Sequence, residues 1–197
     1  MAPPSTSRIK GAAVREFLRW YTERFSRSAL EEAVASLPDA LQLLFDADAD
    51  AIGVLPSSWY DSAAVHALID AIFARIAPEE RDASIRDGAR FAVAHSARGI
   101  YRFVLERLTP EMYCRNIQRL WNMLHDTGSR EIVTISPTHV RSVIRDWPGH
   151  HPVLCVAVTE TMGAVFEIMG ARGVEVRRLG CVDEGDAECT AELRWRA

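Results

Sequence analysis

The stretch HPVLCVAVTETMGAVFEIMGARGVEVRRLGCVDEGDAECTAELRW, His151 to Trp195, changes its period part-way and so divides into a helix and two strands. Up to Gly173 apolar residues fall on nearly every side of a 3.6-residue wheel. Val153, Val156 and Ala157 take one side, and Cys155, Val158, Met162, Phe166 and Met169 another. A helix apolar all round is buried on more than one face, and Pro152 near its start and Gly173 at its end suit its termini. After Gly173 the pattern alternates, and GVEVRRLGCV and ECTAELRW read as strands joined by an acidic turn around Gly185. Counting by twos sends Cys189, Ala191, Leu193 and Trp195 to one face and Glu188, Thr190, Glu192 and Arg194 to the other.

Working outward, REIVTIS and HVRSVIRDW alternate in the same way and are split by SPT, which predicts a first hairpin before the helix. Upstream of Gly128 the spacing is helical. Ile9, Ala13, Phe17, Trp20, Tyr21 and Phe25 predict a helix over 9–25, and a shorter one follows over 28–36, stopped by Pro38. FDADADAIGVLPSSWYD reads as loop. Val65, Leu68, Ile69, Ile72, Phe73 and Ile76 form a clean stripe capped by Asp61 or Ser62. A long helix is expected through Ala89, Val93, Ile100, Phe103 and Leu108, and another through Tyr113, Ile117, Leu120, Trp121 and Leu124. The expected fold class is α+β, with N-terminal helices packed on an antiparallel sheet of two hairpins separated by a buried helix. Residues 1–8 read as a disordered tail and 9–197 as one domain, mainly helical to 128.

Of 197 residues 48% are apolar and 25% charged, enough for a sizeable core, and the net charge is −4. That balance argues against a general affinity for nucleic acid or anionic membrane. Neither a signal peptide nor an apolar run of membrane-spanning length is present, so a cytoplasmic protein is expected.

In a reducing compartment a structural disulfide is a poor use of Cys181 and Cys189. If the last hairpin turns at Gly185 the two oppose each other, close enough for both to reach one zinc ion. Cys155 lies in the first turn of the buried helix, where the helix N-terminus favours the thiolate. Three cysteines then converge, and His150, His151, Asp183 and Glu188 are candidates for a fourth ligand. The alternative is that all three are small apolar residues in a core.

The motif Gly-Val-Glu-Val, Cys181, Gly185-Asp186, Cys189 and Glu192-Leu193-Arg194-Trp195 resembles the C-terminal signature of vinyl-reductase-type small-molecule-binding domains. These share a broad fold with haem nitric-oxide-binding domains and with the TRAPP tethering subunits. LWNMLHDTG and RDWPGHHPVLC also resemble a myxobacterial paralogous family of unassigned function. The specific motif spans about residues 145–196. In the phenol-responsive members three cysteines and a glutamate hold a structural zinc, and the resemblance puts Cys155, Cys181 and Cys189 at the cysteine positions. Arg178 stands where the glutamate is expected, which leaves the fourth ligand open. The histidine and tryptophan that hold phenol in those sensors have no match.

His95, within FAVAHSARGIYRF, is a candidate axial haem ligand, but residues that clamp haem propionates are not visible, and haem is set aside. His125-Asp126 lacks a nucleophile elbow to complete a hydrolase triad, and the acids around Gly185 lack calcium-loop spacing. Tyr101, Phe103, Tyr113, Trp121, Trp147, Met162 and Phe166 are candidates for an apolar pocket, and equally for core. The sequence thus points to a non-enzymatic small-molecule-binding or sensory domain. Zinc is the candidate cofactor, a small hydrophobic molecule the ligand, and a homodimer through the N-terminal helices the assembly. The rival expectations are a TRAPP-like assembly subunit and a haem-based gas sensor.

Overall fold

The computed structural model describes residues 7–96 and 107–196. The chain opens with strand β1 (Arg8–Lys10), then α1 (Gly11–Arg24), α2 (Arg27–Ala35) and the short α3 (Asp39–Gln42). Strand β2 (Trp59–Asp61) pairs antiparallel with β1 and leads into α4 (Ser62–Phe73) and α5 (Arg81–Ser96). After residue 106 come α6 (Pro110–Arg115), α7 (Ile117–Asn122), β3 (Ser129–Ser136), β4 (His139–Arg145), α8 (Pro152–Ile168), β5 (Arg172–Gly180) and β6 (Cys189–Arg196). The second sheet is antiparallel throughout, in the order β3-β4-β6-β5, so the two hairpins join through β4 and β6. The expected α+β architecture is therefore present, with α8 lying against the sheet and α5 against α8.

The sequence dictates these elements locally. Asp61 caps α4 by accepting the Ala63 amide at 2.8 Å, and Val65, Leu68, Ile69, Ile72 and Phe73 are buried along one stripe. Each such side chain contributes roughly 1.5–3 kcal/mol by leaving water. Pro152 occupies the first turn of α8, where its missing amide costs nothing, and the His151 imidazole accepts from the Val153 amide. Gly170, with φ +96°, ends that helix in the left-handed region, and Gly173, expected at its end, lies within β5 instead.

Three elements differ from expectation. Arg8–Lys10 is strand, where Arg8 is expected in the tail and Ile9 and Lys10 at the start of α1, because β2 offers it a ladder inside the segment expected to be loop. The stripe from Tyr113 to Leu124 is two helices, broken at Asn116 (φ −103°), whose side chain turns back to the Met112 carbonyl. The long helix expected through Leu108 is described only to Ser96; Tyr101 and Phe103 lie outside the described residues.

The register at the end of β5 sets the site. Arg178 opposes Ala191, but Gly180 opposes Thr190, so Leu179 is an extra residue, a β-bulge. Continued by one residue, this register puts Cys181 across from Cys189, on the inner face. An unbroken ladder would have placed Gly180 there and turned Cys181 outward.

Candidate metal centre

Four elements deliver four donors to one buried point. Cys155 sits in the first turn of α8, Cys189 opens β6, Cys181 follows β5, and His150 ends the loop between β4 and α8. Cys155, Cys181 and Cys189 are 1%, 0% and 4% exposed. Cys181 Sγ lies 3.8 Å from Cys155 Sγ and 3.8 Å from Cys189 Sγ, and His150 Nε2 lies 3.2 Å from Cys181 Sγ. The four donor atoms are all within 4.8 Å of one another. A disulfide needs about 2.0 Å between sulfurs, so these thiols are not bonded. Two thiolates bound tetrahedrally at about 2.3 Å from one ion stand about 3.8 Å apart. The set suits a thiophilic metal on both distance and chemistry.

Local structure fixes each ligand. The Cys181 amide donates to Asp186 Oδ2 at 2.9 Å, and the Cys181 carbonyl accepts from the Glu184 and Asp186 amides. Gly185, at φ +94°, closes that turn. The acids around Gly185, which lack calcium-loop spacing, form ion pairs: Glu184 pairs with Arg178 and Glu188 with Arg145. The His150 loop packs so tightly that a Cβ on Gly149 would clash with Ser7 Oγ and come within 3.0 Å of Trp147 Nε1. The Gly149 carbonyl is held by His66 Nε2 at 3.1 Å.

Among the four candidate partners His150 is the one in place. His151 instead contacts Asp70 at 3.1 Å. Arg178, at the position where the resemblance expects a glutamate, offers no ligand, and the histidine five residues before Cys155 fills the gap.

The expectation that the helix N-terminus favours the Cys155 thiolate is corrected. Burial, reinforced by the Cys189 and Cys181 sulfurs, drives its pKa well above the usual thiol range, and burial also raises Cys189. Desolvation outweighs the helix dipole here, so the thiolates require an ion to exist. Burial, opposed by Asp183 and assisted by His151 and His66, lowers the His150 pKa and keeps the imidazole neutral, the form that ligates.

Of the pocket candidates, Tyr113, Met162 and Phe166 pack together with Val140 and Leu193 between α8 and the sheet. Trp121 and Trp147 join Ile144 and the three cysteines in an adjoining cluster. These side chains fill the interlayer. His125 is boxed by the rings of Trp121 and Trp147 at 4.1 and 5.0 Å, and burial lowers its pKa to about 3. Its Nδ1 and the Trp147 Nε1 are buried polar atoms without a partner among the described residues. Asp126 is taken by Arg8 at 2.7 Å, so no triad begins there. The residue that sequence reasoning missed is Arg130, buried on β3 beneath α8. A polar position in an otherwise ambiguous strand gave no signal of it.

No protein-family model matches the sequence, and no curated protein matches it. Solved structures do match over nearly the whole chain. A point mutant of T. tengcongensis H-NOX aligns with TM-score 0.69 and 8% identity, covering 96% of this chain and 98% of that one. The Fe(II) unliganded H-NOX protein from K. algicida aligns with TM-score 0.67 and 11% identity, covering 96% and 97%. A third, from work on modulating heme redox potential through porphyrin distortion, gives TM-score 0.64 and 8% identity, covering 96% and 100%. These neighbours correct the expectation that set haem aside, because the fold itself is one on which heme is carried. Among the described residues a donor suited to such a group is His95, whose Nδ1 lies 2.5 Å from Glu16 Oε2, a buried oxygen that makes no hydrogen bond among the described residues. His95 lines a surface hollow of about 200 Å³ with Arg19, Thr22 and Asp50, while the interlayer is occupied by side chains. At these identities the likeness concerns architecture, and the architecture of this chain is that of the H-NOX domains.

Proposed function

We propose that the chain is a non-enzymatic small-molecule-sensing domain on the H-NOX fold, pinned by a structural zinc ion at His150, Cys155, Cys181 and Cys189. The observation that carries the metal site is the convergence of those four donors within 4.8 Å. Four protein ligands leave no open position, so the ion is structural and takes no part in catalysis. It ties the first turn of α8 to the β5–β6 turn. An apolar guest would enter at the far end of α8 by displacing packed side chains, where Phe166 meets Tyr113 and Trp195 edge-on. X-ray absorption on the purified protein tests the site. Three sulfurs at about 2.3 Å and one nitrogen at about 2.0–2.1 Å are expected; a shell of oxygen and nitrogen alone overturns it. The sensing half is tested by melting the protein against a panel of small aromatic and aliphatic compounds, since a guest of the folded state raises its stability.

A second reading, a haem-based sensor, is favoured by His95 and its carboxylate partner Glu16. Haem would supply a gas-binding iron, and His95 would be the residue to hold it. A Soret band in the purified protein that His95→Ala removes supports this reading, and a colourless protein that stays so after reconstitution with hemin refutes it. The assembly-subunit alternative draws no support from the H-NOX neighbours. No described helix is long and apolar enough to cross a membrane.

A further inference from the structure

Arg130 is 6% exposed. Its Nε donates to Ser142 Oγ at 3.1 Å, and its Nη2 faces the Val158 carbonyl and Met162 Sδ, each at 3.4 Å. All three partners are neutral, and among the described residues no carboxylate lies within ion-pair distance. A buried guanidinium with neutral partners alone is expensive, and one that persists has its counter-charge elsewhere.

The sheet register shows where. Arg130 opposes Ile144 and Ile144 opposes Cys189, so Arg130 and Cys189 stand in one row across three strands, on the same inner face. Two strand spacings are about 10 Å. From above, Val158 is one helical turn beyond Cys155. We propose that Arg130 is the internal counter-charge of the metal centre, so that site and arginine form one neutral buried unit when the ion is divalent. Three thiolates, a neutral imidazole and a divalent ion sum to −1, which one guanidinium cancels. A monovalent ion would leave an uncompensated negative charge. The nearby Arg178 adds nothing to the sum, because Glu184 already pairs with it. Burial pulls the Arg130 pKa down, and Tyr113 and Cys155 are among the groups that pull it back.

This inference rests on the metal reading above, and the test separates the two. Zinc affinity is measured by competition with a chromophoric chelator for the wild type, Arg130→Met, Arg130→Gln and Arg130→Lys, and each is melted with zinc and after chelation. Unit charges about 10 Å apart at an effective dielectric of about 20 imply that either neutral variant binds roughly 15-fold more weakly. Arg130→Lys should stay close to wild type. In the chelated state the sign reverses: Arg130→Met should melt above wild type, because an unpaired buried cation has been removed. Arg130→Gln, which keeps a donor for Ser142, carries the test if the methionine variant does not fold. Unchanged zinc affinity in the neutral variants, or Arg130→Met more stable in both states, overturns the proposal. A wild type that takes up no zinc ends the metal reading itself.

Discussion

Replacing Cys189 separates the two uses of a buried cysteine, because alanine and valine give different results under each. Cys189 is 4% exposed and packs against Ile144, Cys155 and Cys181. If it is only a small apolar residue, Cys189→Ala removes one heavy atom and costs about 1 kcal/mol. Cys189→Val, close in volume, then costs less than about 1.5 kcal/mol. If it is a ligand, both variants lose the ion. With free ion at 100 to 1,000 times its dissociation constant, that linkage is about 2.7–4.1 kcal/mol. For a chain of this size each kcal/mol moves the melting point about 2–4 °C, so both variants should melt roughly 5–16 °C below wild type. Calorimetry with and without chelator reads this directly. Chelator should lower the wild type by a similar amount and leave both variants unmoved. A valine variant within about 2 °C of wild type, with chelator silent on both, refutes the ligand role.

Two further predictions concern the buried histidine and the bulge. His125 is held neutral to about pH 3 in the folded chain, against an ordinary value of 6.5, with burial the main cause. The unfolded state therefore binds the extra proton below pH 6.5, and stability falls by about 1.4 kcal/mol per pH unit as pH drops from there towards 3. His125→Phe lacks this contribution, so urea unfolding of variant and wild type at pH 7 and 4.5 should show the variant gaining about 3 kcal/mol on the wild type; an equal acid slope in both would contradict the buried neutral ring. Leu179 is 43% exposed and is the extra residue of the β5 bulge. Deleting it leaves Gly180 facing Thr190 and Cys181 facing Cys189, so metal content should persist; a metal-free product would show that the bulge itself aims Cys181.

The elements legible in the sequence are those whose periodicity carries its own punctuation. Helix α8 is marked by Pro152 and its all-round apolar pattern, and the two hairpins by alternation and by Gly185. Cys181 and Cys189 lie four residues on either side of that glycine, and this symmetry located the site. It did so although β5 carries a bulge that counting by twos does not register. Strand β1 was not legible, because Ile9 also fits the helical stripe of α1 and its pairing with β2 is a contact across fifty residues. The break at Asn116 has no proline or glycine to announce it. On β3 the apolar residues misdirect: Val133 and Ile135 are 41% and 49% exposed while Arg130 is buried. The counter-charge proposed for that arginine would come from cysteines on α8, β6 and the loop after β5, and no local pattern encodes that. His150 was one of four candidates, and choosing it required the turn at Trp147–Gly149.

The most direct test of the metal centre is native mass spectrometry of the purified chain against its denatured mass. One divalent ion per chain in the wild type, absent after Cys181→Ser, is the predicted result. A wild-type native mass equal to that of the bare polypeptide, unchanged after incubation with zinc under reducing conditions, would contradict the account and return the three cysteines to the core as small apolar residues.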